Sequence, residues 1–253
     1  MACDLHELVG YCDELLQSAR FRDYCPNGLQ VEGAKRVARV AAAVTANQSV
    51  LDAAVKWDAH ALMVHHGYFW RGEAAEIVGM KKRRLATLLG AEMSLLAYHL
   101  PLDAHGTLGN NAQLGQRLGF PAGEPLDPQD STSVGSVATL PEPRRLAELC
   151  AEIRELTHRD PLLIGSEQDL VRRVAWCTGA AQGYVERAAA RGAELYISGE
   201  ISEQTVHSAR ELGIAYIAAG HHATERYGVQ ALAAHVAEAF DLEWTFIDSD
   251  NPV

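Results

Sequence analysis

The sequence has no excess of positive charge and no long apolar run. Its 253 residues carry a formal net charge of −11, which disfavours nucleic acid and anionic membranes as partners, because both need a basic face. No apolar stretch approaches the ~20 residues of a membrane span, and acidic side chains at Asp4, Glu7, Asp13 and Glu14 argue against a signal peptide. We therefore expect a globular cytoplasmic protein that has no membrane partner.

The chain also lacks the cysteine patterns that build disulfide frameworks or thiolate zinc sites. Its five cysteines are odd in number, scattered and without a C-x-x-C pair, which is typical of reduced thiols in the cytoplasm. The glycine-rich phosphate loops and the G-x-S-x-G nucleophile elbow are absent too. Any chemistry must come from other residues.

Short apolar runs alternate with helical patterns along most of the chain. Helices are predicted over residues 4–19, 49–57, 76–90, 143–156, 183–191, 202–212 and 224–239, and strands over 37–44, 62–64, 94–98, 162–164, 174–177, 195–198, 214–218 and 244–247. This alternation predicts an α/β fold with mostly parallel strands. The stretch 121–143 is rich in Pro, Gly, Asp and Ser and is the predicted linker. We therefore predict a first α/β half over 1–125, a linker and small insert over 126–172, and a second α/β half over 173–253.

The second half repeats features of the first. Residues 44–46 align with 177–179, and the same offset pairs 62–66 with 195–199. Two α/β units can share such a hydrophobic rhythm by chance. One unit further on, however, His99 and Asp103 are four apart, as are His221 and Glu225. Each half thus places polar residues just after a strand, where open α/β sheets build their sites.

Three short segments hold two histidines each: His65 and His66, His99 and His105, and His221 and His222. Two of the segments add a carboxylate, at Asp103 and Glu225. Imidazole with carboxylate is the ligand mixture of Zn, Mn, Fe, Co or Ni sites, whereas Ca or Mg sites are built from oxygen. There are more ligands than one ion needs, so we predict two divalent cations.

Several segments together resemble the Nif3-like family, whose members are also described as GTP cyclohydrolase I type 2 homologues. The segments are residues 27–33, 64–70, 98–105, 109–111, 198–200 and 220–226. The match runs from residue 27 to the C-terminus without the large insert of some members, so the chain is similar to the short bacterial form. The resemblance implies duplicated, mostly parallel α/β halves with a dinuclear metal centre between them. It also implies a ring-shaped homohexamer, with the metal ligands at His65, His66, Asp103, His221 and Glu225.

The candidate ligands also have structural interpretations. Adjacent side chains on a strand point to opposite faces, so His65 and His66 need a turn at Gly67 or one metal each. Asp103 fits a turn or a helix cap, and the resemblance makes it a ligand. His221 and Glu225 share one helix face, as in a surface salt bridge.

Other polar residues are predicted to line the site. His99, His105 and His222 are candidates for orienting ligands or contacting substrate. Glu200 is the candidate catalytic base, with a partner of a histidine or a helix N-terminal acid as alternatives. The aromatic segment 68–70 is either core or a stacking platform for a ring substrate.

The leading functional hypothesis is a metal-dependent hydrolase acting on a small nucleotide-like or heterocyclic substrate. Metal ions lower the pKa of a bound water towards ~7, and the resulting hydroxide attacks the substrate. The acidic net charge does not exclude an anionic substrate, because metals supply positive charge locally. The alternatives are a non-catalytic metal-binding ring scaffold or regulator, and a GTP cyclohydrolase.

Overall fold

The computed structural model describes residues 2–253, which form two compact α/β units. The first unit comprises the chain up to Leu102 together with Val229–Asp250, and the second comprises Asp103–Gly228 with Asn251–Val253. Each unit has its own β-sheet with parallel strands at its centre. The predicted fold class is therefore confirmed. Within residues 2–253, no helix combines the length and the apolar character needed to cross a membrane.

The elements are numbered in chain order. The strands are β1 (Cys3–Asp4), β2 (Gly28–Val31), β3 (Arg36–Val37), β4 (Arg39–Thr45), β5 (Ala61–His66), β6 (Ser94–Ala97), β7 (Glu124–Pro125), β8 (Ser136–Arg145), β9 (Leu162–Ile164), β10 (Leu170–Cys177), β11 (Leu195–Ser198), β12 (Ala215–Ala218) and β13 (Glu243–Phe246). The helices are α1 (Leu5–Leu16), α2 (Gln48–Lys56), α3 (Gly79–Gly90), α4 (Leu100–Ala104), α5 (Asn110–Arg117), α6 (Leu146–Thr157), α7 (Val185–Ala190), α8 (Glu203–Leu212), α9 (His221–Thr224) and α10 (Arg226–Phe240).

The sheet of the first unit has the strand order β13-β4-β5-β6-β2. Its first four strands are parallel, and β2 runs antiparallel to β6. The central strands are apolar on both faces, as expected of parallel strands covered by helices. On one face, Val50 and Leu51 of α2 and Leu85 and Leu88 of α3 pack against the sheet. The parallel pairing of β4, β5 and β6 sets their register and brings their carboxyl ends to the same edge of the sheet.

The second unit is built on a six-stranded sheet of order β7-β8-β10-β11-β12-β9. Strands β10, β11 and β12 are parallel, and the three outer strands are antiparallel to their neighbours. Side chains of β10 alternate between two cores: Trp176 packs with α6, whereas Ala175 packs with α7 and α8. This alternation follows from the two-residue period of a strand and shows that both faces are buried.

The predicted repeat corresponds to three parallel strands in each unit, β4-β5-β6 and β10-β11-β12. An antiparallel strand flanks the third strand in both cases, β2 beside β6 and β9 beside β12. In both units this flanking strand precedes the three parallel strands in the chain. The repeat thus extends to a strand pairing that we did not predict.

The structure divides the chain differently from the predicted boundaries at 125/126 and 172/173, which both lie inside the second unit. The predicted insert over 126–172 supplies β8, α6 and β9, and both strands belong to the same sheet as β10. At the C-terminus, β13 pairs with β4 and returns the chain to the first unit. Strand pairing between residues so far apart in the chain leaves no local signal in the sequence.

Candidate metal centre

In each unit, the polar candidates follow the carboxyl ends of the parallel strands. His65 and His66 are the last residues of β5, and His99 follows β6. In the second unit, Gly179 follows β10 and Glu200 follows β11. His221 begins α9, shortly after β12. These are the positions where open α/β sheets place their functional residues.

The first unit contains a histidine cluster, formed by His65, His66 and His99. The ring centroids of His65 and His66 are 4.6 Å apart, and His99 lies 5.1 Å from the first and 5.8 Å from the second. One ligand atom from each ring lies within 4.8 Å of the others. Strand β5 continues through both histidines and ends at His66, directly before Gly67. Adjacent strand histidines nevertheless bring their rings together.

Each imidazole in the histidine cluster has its Nδ1 atom bound to an oxygen. Nδ1 of His65 donates to the carbonyl of Tyr98 at 2.9 Å, and Nδ1 of His66 lies 3.0 Å from the Thr45 hydroxyl. Nδ1 of His99 contacts a carboxylate oxygen of Asp23 at 2.7 Å. Such partners fix the tautomer and orientation of metal-binding histidines. The three rings thus form a group that could hold a metal ion.

Asp23 is a functional residue that the sequence analysis missed. Its carboxylate accepts hydrogen bonds from His99, Asn27 and the backbone N–H groups of Tyr24 and Leu100. Burial raises the pKa of Asp23, but the hydrogen bond and charge of His99 and the bonds from Asn27 and Tyr24 outweigh it and lower the pKa to about 2. Asp23 is therefore ionised at neutral pH and orients His99.

The loop before β2 supplies a second contact to His99. The side-chain oxygen of Asn27 accepts the backbone N–H of His99 at 2.7 Å. Asn27 begins the segment 27–33, one of those on which the resemblance to the family rests. Asn27 holds the backbone of His99 while Asp23 holds its ring.

The second unit contains a carboxylate–histidine cluster, formed by Asp103, Glu200, His221 and Glu225. Nδ1 of His221 contacts Glu200 at 2.7 Å, and its Nε2 lies 3.2 Å from Glu225. Glu225 is 3% exposed and Asp103 is 8% exposed. Burial lowers the pKa of His221, but the hydrogen bonds and charges of Glu225 and Glu200 outweigh it and raise the pKa to about 9. His221 is therefore a cation held between two carboxylates.

Asp103 lies in α4, and its side chain is buried. One of its carboxylate oxygens accepts a hydrogen bond from the Asn110 amide at 2.9 Å and from the Thr178 hydroxyl at 3.4 Å. The Asn111 amide donates to the backbone carbonyl of Asp103. The segment 109–111, which also contributes to the family resemblance, thus positions this carboxylate.

Gly179 makes room for the carboxylate of Glu225. Its φ angle is 69°, and a Cβ atom added there would lie 2.0 Å from Oε1 of Glu225 and 3.3 Å from Nε2 of His221. The backbone carbonyl of Gly179 also accepts the N–H groups of Gly199 and Glu200. A side chain at position 179 is therefore excluded by both conformation and space. The repeat alignment included this position without a role.

The remaining predicted residues have different contacts. Glu200 contacts His221, which agrees with its interpretation as the partner of a histidine. Nδ1 of His105 accepts the backbone N–H groups of Thr107 and Leu108, so this ring closes its own turn. His222 is buried, and its backbone N–H donates to the carbonyl of Val253.

We expect metal binding to displace a proton from His221 at neutral pH. An imidazolium cannot bind a metal ion, because both ring nitrogens carry hydrogen. Since the pKa of His221 is about 9, the apparent affinity should rise about tenfold per pH unit below that value through this proton alone. Calorimetry in buffers of different ionisation enthalpy measures the proton release. The variant Glu200→Gln lacks one carboxylate that raises the pKa, so its proton release should decline at a lower pH than that of the parent. The same pH dependence of proton release in both proteins would contradict this assignment.

Comparisons with known proteins agree along the whole chain. The family model described as Duf34/NIF3 (NGG1p interacting factor 3) matches residues 3–252. A Pseudomonas aeruginosa protein named "GTP cyclohydrolase 1 type 2 homolog" is 54% identical over 252 residues, covering 100% of both chains. The solved structure described as "Structural genomics, protein ybgI, unknown function" is 47% identical, with a TM-score of 0.93, over 99% of this chain and 100% of that chain. Protein TTHA1606 from Thermus thermophilus is 37% identical, with a TM-score of 0.90 and the same coverage. The chain therefore belongs to the Duf34/NIF3 family.

Proposed function

We propose that the protein is a metal-dependent hydrolase that acts on a small nucleotide-like or heterocyclic substrate. In this proposal, two divalent cations are bound by His65, His66, Asp103, His221 and Glu225. The observation that carries the proposal is the contact between Nδ1 and an oxygen atom at His65, His66 and His221, since metal-binding histidines are typically oriented by such a contact through the ring nitrogen that does not bind the ion.

The donor set fits transition-metal ions. Imidazole nitrogen with a smaller number of carboxylates suits Zn, Fe, Mn, Co or Ni, and the absence of an all-oxygen set disfavours Ca and Mg. Because Gly179 has no Cβ atom, there is room for the Glu225 carboxylate next to His221. Five protein ligands for two cations are few enough to leave room for substrate and water.

The chain's own residues have separable roles in this proposal. Asp103 and Glu225 supply negative charge, which neutral imidazoles cannot, and Glu200 keeps the ring of His221 oriented through Nδ1. When bound, divalent cations polarise a substrate oxygen and activate water. Asp23 orients the ring of His99 through Nδ1, as Glu200 does for His221. Glu200 is also the proposed catalytic base.

Metal analysis followed by an activity screen tests the proposal. We expect close to two divalent ions per reconstituted chain, and the loss of at least one in His65→Ala or His221→Ala. Hydrolysis of nucleotides and heterocyclic amides should require metal and fail in both variants. No bound ion after reconstitution would overturn the proposal at its base. Full cellular function in a variant that binds no metal would instead favour the non-catalytic scaffold.

A GTP cyclohydrolase is the second candidate, supported by the names of relatives about half identical to this chain. Incubation of the metal-loaded protein with GTP separates the two candidates. Ring opening with release of formate would favour the cyclohydrolase, and unchanged GTP beside turnover of another substrate would favour the broader proposal.

A further inference from the structure

Two aromatic side chains flank His99 within the first unit. The ring of Trp70 lies 5.1 Å from that of His99, at an interplanar angle of 85°, and 6.0 Å from that of His66. The Tyr24 ring lies 6.3 Å from His99 and is also tilted steeply to it. Tyr24 is 58% exposed. Solvent-exposed aromatic surface thus adjoins the histidine cluster.

A cation completes this surface. The guanidinium carbon of Arg71 lies 5.8 Å from the centroid of the Tyr24 ring. The backbone N–H of Arg71 donates to the carbonyl of Tyr24 at 2.6 Å, and its Nη2 donates to the carbonyl of Asp23 at 2.8 Å. These bonds tie the loop after β5 to the loop before β2, and the position of the cation is set by both.

Arg71 has no carboxylate partner among residues 2–253, although the chain holds 33 acidic and 22 basic residues. Its side chain is exposed, and the hydrogen bond to Asp23 uses a single guanidinium nitrogen. A planar guanidinium has five N–H donors and binds phosphate through two of them at once. Most of the donor capacity of Arg71 therefore faces solvent beside the aromatic rings.

The neighbouring aromatic residues Tyr68 and Phe69 pack in the hydrophobic core instead. Tyr68 is buried, and its hydroxyl donates to the carbonyl of Ala46. Phe69 packs against the same apolar core. Trp70 is partly exposed, and its indole N–H donates to the carbonyl of Gly67, which fixes the ring plane. Of the aromatic segment 68–70, only Trp70 adjoins the histidine cluster.

We propose that Tyr24, Trp70 and Arg71 form a binding site for a planar heterocyclic ring that carries a phosphate group, as in a nucleoside phosphate. The aromatic rings stack on the heterocycle, because every such ring has a π face. Arg71 binds the phosphate with charge-assisted hydrogen bonds. The site rests on the proposed function for its catalytic meaning, because it would hold substrate beside the histidine cluster. Its ability to bind a ligand does not depend on metal.

Calorimetric titration with three probes tests the site in metal-loaded and metal-free protein. The probes are guanosine 5′-monophosphate, which has both ring and phosphate, guanosine, and ribose 5-phosphate. The complete nucleotide should bind at least about tenfold more tightly than either fragment, in both metal states. Arg71→Ala should lower the affinity for the nucleotide towards that for guanosine and leave guanosine binding unchanged. Trp70→Ala and Tyr24→Ala should weaken nucleotide and guanosine alike.

A matched control lies elsewhere in the same unit. The guanidinium carbon of Arg39 lies 5.9 Å from the Trp57 ring, so Arg39→Ala removes a similar cation–π contact away from the histidine cluster. This variant should bind all three probes like the parent. Equal nucleotide affinity in the parent and Arg71→Ala would overturn the proposal, as would no binding of the nucleotide at about 1 mM.

The outcome is separable from that of the proposed function. Metal content and hydrolysis are measured on the same preparations. Metal-dependent hydrolysis without an effect of Arg71→Ala on nucleotide binding would remove this site alone. Nucleotide binding that depends on Arg71 and Trp70, in a protein that binds no metal, would remove the hydrolase and leave the site.

Discussion

Glu225→Gln is expected to lose most of the bound metal. The substitution preserves the shape of the side chain and removes its charge at a position that is 3% exposed. A buried site with two divalent cations needs negative charge nearby, because low polarity strengthens every electrostatic interaction. The amide also cannot hold His221 as the carboxylate does at 3.2 Å. We expect the apparent metal affinity to fall by at least about 100-fold, at the upper end of effects seen for residues that only orient ligands.

The chain offers a matched control for this variant. Glu203 and His207 of α8 form another glutamate–histidine pair four residues apart, also with 3.2 Å between the carboxylate oxygen and Nε2, but on the surface. Glu203→Gln should therefore retain metal like the parent, and so should His222→Ala. Metal content after dialysis measures all three. If Glu225→Gln retained metal while His222→Ala lost it, the ligand assignment would be wrong.

Gly179→Ala is expected to remove metal binding without touching a ligand. The new methyl group would lie 2.0 Å from Oε1 of Glu225, so the carboxylate must move away from His221. The left-handed backbone at φ 69° adds a cost of about 1–2 kcal/mol for a residue with a Cβ atom. We expect both a loss of metal and a lower thermal midpoint in the metal-free protein.

Gly213→Ala separates these two effects. Gly213 ends α8 with a φ of 67°, and no heavy atom lies within 4 Å of its added Cβ. This variant should lower the thermal midpoint through the backbone cost alone and bind metal normally. Metal analysis and thermal unfolding of the pair decide the question. Equal metal retention by Gly179→Ala and Gly213→Ala would show that the space beside Glu225 is not required.

The parallel strands and the polar residues that follow them could be predicted because both leave local signals. An apolar run marks each central strand, and His65, His66 and His221 stand out directly after such runs. The structure confirms the alternation and brings the histidines of each unit next to oxygen partners. That these residues together bind two metal ions remains a prediction, and so does the ring of six chains.

Asp23 and Gly179 could not be predicted as site residues because their roles depend on distant contacts. Asp23 precedes its partner His99 by 76 residues, and nothing in its own loop distinguishes it from other acidic residues. Gly179 matters through the space it leaves for a side chain 46 positions later (225 − 179). The same reason applies to the domain division, since β13 pairs with β4 across most of the chain.

The position of His221 between two carboxylates has a consequence for the proposed metal binding. Two carboxylates surround this ring, and its proton is the cation that balances them while no metal is bound. In the proposed function, metal binding would displace this proton, so that one positive charge replaces another between the same two carboxylates. The charge balance of the second unit would then be similar with and without metal.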